Sequence, residues 1–398
     1  MVVHGPFPHD MRVDREARAA RDLGFDVELI AIYEEGKPSR ETVAGLSVTR
    51  LPIRRRIGGG AFWAVVEYIG FTALAVMVVA GRSLRRRYSI VQIHTPPDFL
   101  VAAALIPKLL GARVILDVHD LGPDMFEMRF GSGRVSRLLS KALLKIEKAA
   151  VRISDEVITV HEPYRRELAR TGVPIDAIGV VMNSIDEDLL PRPLPRSTEP
   201  FRIVYHGTVT PPYGVELLIE AMPEILSEAP AAQLEIYGTG DALPNVRRRA
   251  EELGLAERVY TTGRFDPHFV TLRAINGASV GVIPNLPTRL NRYALSSKLF
   301  EYIALNIPVV CSALPTLREH FEESELLFFE PGRHKALAAA IRAIAADPAA
   351  AASRAAAART KYALYDWNVN RPRYCAVLTR LRSRPALVPS GVDGSARS

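Results

Sequence analysis

The chain has 398 residues, 48% hydrophobic and 24% charged, which is typical of a folded globular protein rather than a disordered one. That length exceeds what one ordinary hydrophobic core supports, so two domains are expected. The net charge of +7 is compatible with nucleic-acid binding, but the basic clusters do not alternate with aromatic residues. Nucleic acid is therefore not expected as a partner. Two cysteines, Cys311 and Cys375, lack the spacing of a metal or disulfide site and indicate a reducing compartment.

The first part of the chain alternates short β-branched runs with helical stretches. Its predicted strands are Val27–Ile32, Ile90–His94, Arg113–Val118 and Glu156–Val160, after a shortened first strand at residues 1–4. Apolar strands that alternate with helices predict a parallel sheet covered on both faces. The N-terminus lacks the basic and apolar regions of a signal peptide.

The segment from Ala61 to Gly81 is apolar apart from Glu67 and a few small or polar residues, and arginines flank both of its ends. It approaches the length of about 20 residues that a membrane-spanning helix needs. A carboxylate inside the bilayer is unfavourable, and residues on both sides must build the same domain. A helix packed within or against the first domain is therefore favoured. An interfacial helix is the second alternative, and a membrane-spanning helix is the least favoured. Because anionic lipids attract each nearby arginine by about 1 kcal/mol, an anionic membrane surface is a candidate partner.

The second part repeats the alternation after a proline-dense linker at residues 191–200. Its predicted strands are Arg202–His206, Gln233–Tyr237, Val259–Thr262, Val280–Pro284 and Val309–Cys311. The alanine-rich run at 336–358 predicts two packed helices, and a last helix is expected at about 368–382. We predict domains at residues 1–188 and 196–365, a C-terminal helix at about 366–384 that completes the first domain, and a disordered tail at 385–398.

The segment from Ser296 to Val310 indicates a helix start followed by a buried strand. Ser296 and Ser297 can cap the helix, and its remaining amides together with Lys298 would attract an anion. Glu301, one turn after Lys298, could accept hydrogen bonds from a ribose diol. A nucleotide-sugar combines these hydroxyl groups and phosphates. The alternative is an ordinary capped helix with a surface lysine and glutamate.

Other candidates for the same pocket follow predicted strands. Glycines at such positions would let the backbone approach a diphosphate closely, and an arginine could lie beside the base or the phosphates. Plain turns and a surface arginine are the alternatives. These candidate residues for binding a nucleotide-sugar are Gly207, Thr208, Gly238, Gly240, Arg264 and Asn285.

Several segments together resemble the retaining glycosyltransferases of glycosyltransferase family 4. The stretch from Ser296 is similar to the donor-binding helix of that family, and Leu116–Asp124 is similar to the loop with its active-site histidine. Further likenesses occur, in the family's order, at 6–13, 24–30, 180–186, 205–208 and 236–240. The resemblance spans about residues 6–383. It implies an α/β protein of GT-B architecture, with two Rossmann-like domains whose parallel sheets face a cleft.

The resemblance also implies the reaction and its residues. A sugar would move from a nucleoside-diphosphate sugar to a glycan or lipid-linked acceptor of surface polysaccharide or glycolipid synthesis, with retention of configuration. The expected location is cytoplasmic, or peripheral on the inner face of the plasma membrane. The implied catalytic residues are His119, Lys298 and Glu301, and the implied acceptor contacts are Asp10, Arg12 and Asp120.

Simpler roles for some of these residues stay open, and no cofactor or metal is implied. His119 could be a structural histidine, and Asp10 or Arg12 could simply cap the first helix. The stretch Asp186–Asp188 mimics a metal-binding pattern but is interpreted as a solvated loop beside the linker.

Two departures from the family pattern are the reason for an alternative function. Tyr293 stands where many members have a first carboxylate. Residues 208–214 contain no basic residue, whereas many members have an arginine and a lysine there that bind the diphosphate. A catalytically degenerate relative or assembly partner is therefore the main alternative. An epimerase of nucleotide-sugars would need further carboxylates that the sequence does not reveal.

Overall fold

The computed structural model describes residues 1–8, 10–55, 60–120, 134–170, 172–185 and 190–383, without the side chains of 60–62 and 134–139. The chain divides into two compact α/β units. Residues 1–181 and the C-terminal segment from Arg371 form the first unit, and residues 182–370 form the second. The predicted tail at 385–398, the Asp186–Asp188 stretch and residues 121–124 lie outside the described residues.

The first unit is built on an eight-stranded sheet. Its strands are β1 (Val2–Val3), β2 (Glu28–Ile32), β3 (Arg40–Val43), β4 (Leu46–Leu51), β5 (Ile90–Thr95), β6 (Arg113–Val118), β7 (Glu156–Thr159) and β8 (Ile178–Val180). Their order in the sheet is β3-β4-β2-β1-β5-β6-β7-β8. All neighbours pair in parallel except β3 with β4.

Helices cover this sheet. They are α1 (Met11–Asp22), α2 (Gly60–Arg85), α3 (Leu105–Leu109), α4 (Arg134–Ile153) and α5 (Glu162–Ala169). Asp10 is the N-cap of α1, where its Oδ1 accepts a hydrogen bond from the backbone N–H of Arg12 at 3.1 Å. The capping role that the sequence left open for Asp10 is therefore present.

The apolar segment of the first unit forms α2, which extends beyond the predicted range at both ends. Its stretch from Trp63 to Arg85 is long and apolar enough to cross a membrane, and 28% of an apolar 18-residue window within it is buried inside the protein. Phe71, Ala75 and Val79, four residues apart along the helix, are at most 3% exposed. The prediction of a helix packed against the first domain is confirmed for this face of α2.

The second unit contains a six-stranded parallel sheet, in the order β11-β10-β9-β12-β13-β14. These strands are β9 (Arg202–His206), β10 (Gln233–Tyr237), β11 (Val259–Thr261), β12 (Val280–Ile283), β13 (Val309–Ser312) and β14 (Leu327–Phe329). Its helices are α6 (Glu216–Leu226), α7 (Leu243–Glu252), α8 (His268–Ile275), α9 (Ser297–Ala304), α10 (Pro315–His320), α11 (His334–Ala346) and α12 (Pro348–Tyr362). Parallel pairing brings the carboxyl ends of β9, β10 and β12 to one edge of the sheet.

Each strand predicted from the sequence is present, with ends within one residue of those observed. The alanine-rich run forms α11 and α12 as predicted, and the linker at 191–200 forms no helix or strand. The last helix, α13 (Trp367–Ser383), is also present. From Arg371 onward it packs in the first unit, where the Tyr374 hydroxyl donates to Gln92 Oε1 at 2.6 Å.

Candidate functional site

Helix α9 of the second unit is fixed against the sheet by an aromatic ring. A Cβ on Gly281 of β12 would lie 2.5 Å from the ring of Tyr302, so only glycine lets this ring pack on the strand. The Tyr302 hydroxyl donates to the carbonyl of Val204 in β9 at 3.3 Å. These contacts place the first turn of α9 beside the end of β9.

Lys298 lies across the end of β9, at Gly207. A Cβ on Gly207 would lie 2.9 Å from Cε of Lys298 and 3.2 Å from its Nζ, and the φ of Gly207 is +111°. The positive φ favours glycine at this position, and a Cβ would displace the end of the Lys298 side chain. The Nζ of Lys298 lies 5.1 Å from the ring centre of Tyr205 and 4.7 Å from that of Tyr213, within range of cation–π attraction.

Burial changes the protonation of Lys298. Only 8% of the residue is exposed, and this burial lowers the pKa of its ammonium to about 8, although the nearby Glu301 carboxylate opposes the shift. A lysine with so little hydration gains strongly from an anion at its Nζ, because the anion restores the stability of the charged form.

Glu301 lies one turn further along α9, between two histidines. Its Oε2 is 3.1 Å from Nε2 of His206, and its Oε1 is 3.5 Å from Nε2 of His268. Burial raises the pKa of Glu301 to about 7, against the opposing effects of Lys298 and a hydrogen bond from Ser297. Burial also holds the pKa of His206 well below its ordinary value, with further lowering from Lys298 and His268. His206 is therefore neutral at neutral pH, where Glu301 is close to half-ionised.

The loops after β9 and β10 are paired through their backbones. The N–H of Gly207 donates to the carbonyl of Tyr237 at 2.8 Å. A Cβ on Gly238 would lie 1.9 Å from the carbonyl oxygen of Gly207, and one on Gly240 would lie 2.1 Å from that of Val209. Gly238 and Gly240 therefore allow the second loop to pack on the first, which supports the position of Gly207 beneath Lys298.

Some of the predicted donor-binding residues have other surroundings. Arg264 is exposed, and its Nε donates to Asp266 Oδ1 at 2.7 Å. It is therefore a surface arginine, the alternative given in the sequence analysis. Asn285 is 2% exposed, and its Nδ2 donates to Asn291 Oδ1 at 3.4 Å. Thr208 is exposed, and its carbonyl accepts a hydrogen bond from the Tyr205 hydroxyl at 2.6 Å.

The prediction that the Ser296 side chain caps the helix is wrong. Ser296 is the N-cap residue of α9 in extended conformation, but it makes no side-chain capping hydrogen bond. Ser297 is the first helical residue, and its hydroxyl bonds to Glu301 instead. The first amides of α9 are consequently left without a side-chain cap among the described residues, and such amides attract anions.

In the first unit, His94, Asp117 and His119 are brought together by strand register. His94 of β5 pairs with Asp117 of β6, and His119 follows Asp117 by two residues, so that all three side chains lie on one face. Asp117 Oδ2 is 2.9 Å from His94 Nδ1 and 2.9 Å from His119 Nε2, and all three residues are at most 4% exposed.

This arrangement determines the histidine tautomers. Burial would raise the pKa of Asp117, but the two imidazoles hold it well below its ordinary value, so Asp117 is ionised. Burial lowers the pKa of His94. A carboxylate only accepts hydrogen bonds, so both facing nitrogens carry protons. The remaining nitrogens, His94 Nε2 and His119 Nδ1, are buried and have no hydrogen-bond partner among the described residues.

His94, Asp117 and His119 also have the side chains of a metal site, with ligand atoms within 4.8 Å of one another. The two separations of 2.9 Å from Asp117 Oδ2 are those of direct hydrogen bonds, whereas the 3.2 Å between His94 Nδ1 and His119 Nε2 separates two N–H donors. Two ligands about 2.0 Å from a tetrahedral Zn²⁺ would lie about 3.3 Å apart. The geometry therefore fits a hydrogen-bonded trio better than a metal centre.

The predicted acceptor residues adjoin His119. Arg12 Nη2 is 3.0 Å from Asp10 Oδ2, and although burial opposes it, this pair holds the pKa of Asp10 below its ordinary value. Burial raises the pKa of Asp120, against an opposing effect of Arg12 and a hydrogen bond with Tyr164. Asp10, Arg12, Asp120 and His119 thus form one cluster of ionisable residues in the first unit.

Further polar side chains surround Asp117 on the side of Gln92. Gln92 Nε2 donates to Glu16 Oε2 at 2.7 Å and lies 3.4 Å from Asp117 Oδ2, while Gln92 Oε1 accepts from Tyr374. Burial, reinforced by Asp117, raises the pKa of Glu16 well above its ordinary value. The C-terminal helix α13 thereby contacts the residues that orient His119.

Known families match both units. The glycosyl transferase 4-like domain matches residues 10–184, and the glycosyl transferases group 1 domain matches residues 200–347. The chain is 30% identical over 304 residues to a glycogen synthase of Mycobacterium tuberculosis, covering 73% of this chain and 70% of that protein. This chain is a GT-B glycosyltransferase.

Solved structures share the fold of this glycosyltransferase. Sucrose-phosphate synthase from Thermosynechococcus elongatus has a TM-score of 0.75 and 20% identity, over 96% of this chain and 95% of that one. HepE from Anabaena, solved in complex with UDP-glucose, has a TM-score of 0.69 and 14% identity, over 95% and 98% of the two chains. A further relative by sequence is an alpha-D-kanosaminyltransferase of Streptomyces kanamyceticus, 22% identical over 287 residues, which cover 68% of this chain and 72% of that protein.

The glycosyltransferase brings together some predicted residues and adds others. Gly207, Lys298 and Glu301 meet in the second unit, while Arg264 is paired at the surface. Sequence reasoning missed His206 and His268 as partners of Glu301, and it missed Asp117. The signal for Asp117 was an ionisable residue between apolar residues of a predicted strand. His268 had no comparable local signal.

Proposed function

We propose that this glycosyltransferase moves a sugar from a nucleoside-diphosphate sugar to a glycan or lipid-linked acceptor, with retention of anomeric configuration. The observation that carries the proposal is the position of Lys298 across Gly207, one turn from Glu301 at the start of α9. Glycan and lipid-linked acceptors of this kind belong to surface polysaccharide or glycolipid synthesis.

The donor chemistry follows from these groups. The ammonium of Lys298 and the uncapped amides of α9 offer positive charge to a diphosphate, and the Glu301 carboxylate offers acceptors to ribose hydroxyls. The solved relatives HepE, with UDP-glucose, and TarM of S. aureus, with UDP and alpha-GlcNAc-glycerol, support a nucleotide donor.

The proposed reaction needs no metal ion or other cofactor. Lys298 and the helix amides stabilise the charge that develops on the departing diphosphate. The bond from the anomeric carbon to the diphosphate oxygen breaks, and the acceptor oxygen bonds to that carbon on the same face, which retains the configuration. The leaving phosphate takes the proton of the acceptor hydroxyl. In the first unit, Asp117 fixes a proton on His119 Nε2, and Nδ1, which has no hydrogen-bond partner among the described residues, is the proposed acceptor for a sugar hydroxyl.

The proposed location is the cytoplasm, with peripheral attachment to the inner face of the plasma membrane. Two free cysteines agree with a reducing compartment. A lipid-linked acceptor would require the enzyme to work at a membrane surface.

Release of the nucleoside diphosphate tests this function. The protein is incubated in EDTA with UDP-, GDP-, dTDP- and ADP-sugars and with membrane lipid or glycan acceptors, and the anomer of the product is read by NMR. We expect release from one donor, dependent on acceptor, with the configuration retained. The Lys298→Met variant should lose release at least 100-fold, whereas Lys335→Met, at an exposed lysine of α11, should not. An inverted product, or equal release by the Lys298→Met variant, would overturn the proposal.

A second candidate is a catalytically degenerate relative or assembly partner. Tyr293 in place of a carboxylate, and the absence of a basic residue in 208–214, favour it. That candidate predicts nucleotide binding without release from any donor, and the same assay separates the two.

A further inference from the structure

Helix α2 carries a continuous apolar stripe on its outer side. The exposed residues between positions 63 and 81, all of which the structure describes, are apolar. Three or four residues separate them along most of the stripe, which keeps them on one side of the helix. They are Trp63, Val65, Val66, Ile69, Ala73, Met77 and Gly81. Ile69 is 57% exposed and Met77 is 61% exposed, whereas the opposite face of α2 is buried in the unit.

The acidic residue of this helix is withdrawn from the stripe. Glu67 Oε1 lies 3.2 Å from Nε2 of His4, and the Glu67 side chain is 11% exposed. The outer stripe therefore has no charge along about five turns of helix. A carboxylate that would oppose contact with lipid is instead held on the protein side.

A second group of exposed apolar side chains lies on α3, which contacts α2. Leu105, Ile106 and Leu109 of this short helix are 41%, 36% and 76% exposed. Leu84, near the end of α2, is 73% exposed. Exposed apolar side chains in this number on two contacting helices are typical of an interaction site rather than of ordinary surface.

Exposed arginines flank α2 along the chain. Arg54 and Arg55 precede the helix, and Arg85 and Arg87 stand at its end, all exposed. Arg86, next to them, pairs with Asp26 and Glu28 on the side of the protein. An apolar stripe flanked along the chain by exposed cations is complementary to a bilayer with anionic headgroups, because the stripe enters the acyl boundary while the arginines meet phosphates.

We infer that the outer faces of α2 and α3, with the arginines that flank α2 along the chain, dock this glycosyltransferase on an anionic lipid bilayer. The helix lies in the plane of the interface. It does not span the membrane, because Phe71, Ala75 and Val79 are packed in the core of the first unit. This surface gives the peripheral location proposed above a structural basis. It uses no residue of the donor site, so the proposed sugar transfer and the proposed membrane docking can be refuted independently of each other.

Vesicle flotation of the full chain tests the docking surface. We expect binding to vesicles with 30% phosphatidylglycerol, weaker binding to pure phosphatidylcholine, and loss of the difference in high salt. The double variant Ile69→Ser with Met77→Ser should bind at least tenfold more weakly. The matched control is Leu194→Ser with Leu364→Ser, whose residues are 56% and 62% exposed in the second unit and should not matter. Unchanged thermal unfolding of each variant excludes misfolding.

Tryptophan fluorescence gives a second readout. The chain has two tryptophans, and Trp367 is 6% exposed, so that Trp63, 44% exposed, reports on the stripe. We expect brominated acyl chains to quench Trp63 and the Trp63→Phe variant to lose this quenching. Three outcomes would overturn the inference: no binding to either vesicle, resistance to extraction by alkaline carbonate, or a dimer that the Ile69→Ser, Met77→Ser variant abolishes. The second would indicate a spanning helix, and the third a surface for a second copy.

Discussion

Replacing Lys298 with methionine is predicted to stabilise the second unit while it removes nucleotide binding. Lys298 is 8% exposed, and its ammonium lies between Tyr205, Tyr213 and the backbone of Gly207. Methionine is similar in length, flexible and uncharged, so it can fill the same space without a cavity. Without a ligand, the parent protein keeps a poorly hydrated charge at this place.

The size of the effect follows from the pKa of Lys298. A fall from the ordinary 10.5 to about 8 corresponds to about 3 kcal/mol, at about 1.36 kcal/mol for each pH unit. The attraction between the ammonium and Glu301 is already contained in this value, because it opposes the fall of the pKa. We expect a net stabilisation of about 1–3 kcal/mol at pH 7, or a rise in Tm of roughly 2–4 °C per kcal/mol for a unit of this size.

The pH dependence identifies the cause. Because the folded-state pKa is depressed, the destabilisation by Lys298 is complete below pH 8 and fades as the pH rises toward 10.5. The advantage of the variant should therefore shrink between pH 8 and 10.5. Denaturant unfolding of the parent, Lys298→Met and the exposed control Lys335→Met measures this. A Lys298→Met protein that is less stable at pH 7, or a gain that does not change with pH, would refute the reasoning.

Three further predictions concern ionisation, orientation and loop packing. Nucleotide affinity measured calorimetrically should be highest between about pH 7 and 8, because Glu301 loses its charge below about 7 and Lys298 loses its charge above about 8; a flat profile would contradict these assignments. Asp117→Asn should lower kcat at least tenfold and leave nucleotide affinity unchanged, because the proton of His119 is then no longer held on Nε2; equal loss of affinity would indicate general unfolding instead. Gly238→Ala should destabilise the protein by about 2 kcal/mol or more in urea unfolding, because its Cβ would meet a backbone carbonyl at 1.9 Å; a neutral result would show that the loops can separate.

The strands and the start of α9 were predictable because their signals are local. Buried parallel strands are continuous apolar runs, and the segment from Ser296 combines a helix start with a lysine and a carboxylate one turn apart. Strands β3 and β4 were missed because exposed polar residues interrupt their apolar pattern. β14 has only three residues, too few for a pattern.

The electrostatic partners were not predictable, because they depend on packing between distant segments. His206 and Glu301 are 95 positions apart, and they meet only because Tyr302 packs on Gly281 and brings α9 to the end of β9. Strand register, which the sequence leaves open, sets His94 beside Asp117. Ser296 was expected to cap α9 by residue type alone, and the fold leaves that bond unmade.

Nucleotide binding in the absence of metal tests the account most directly. Unfolding of the parent protein is followed with UDP, GDP, dTDP and ADP in EDTA, and again with the Lys298→Met variant. A ligand at about 100 times its Kd stabilises the native state by about 2.7 kcal/mol. The account predicts this stabilisation by one nucleotide in the parent and its loss in the variant. No stabilisation of the parent by any of the four, or the same stabilisation of the variant, would contradict it.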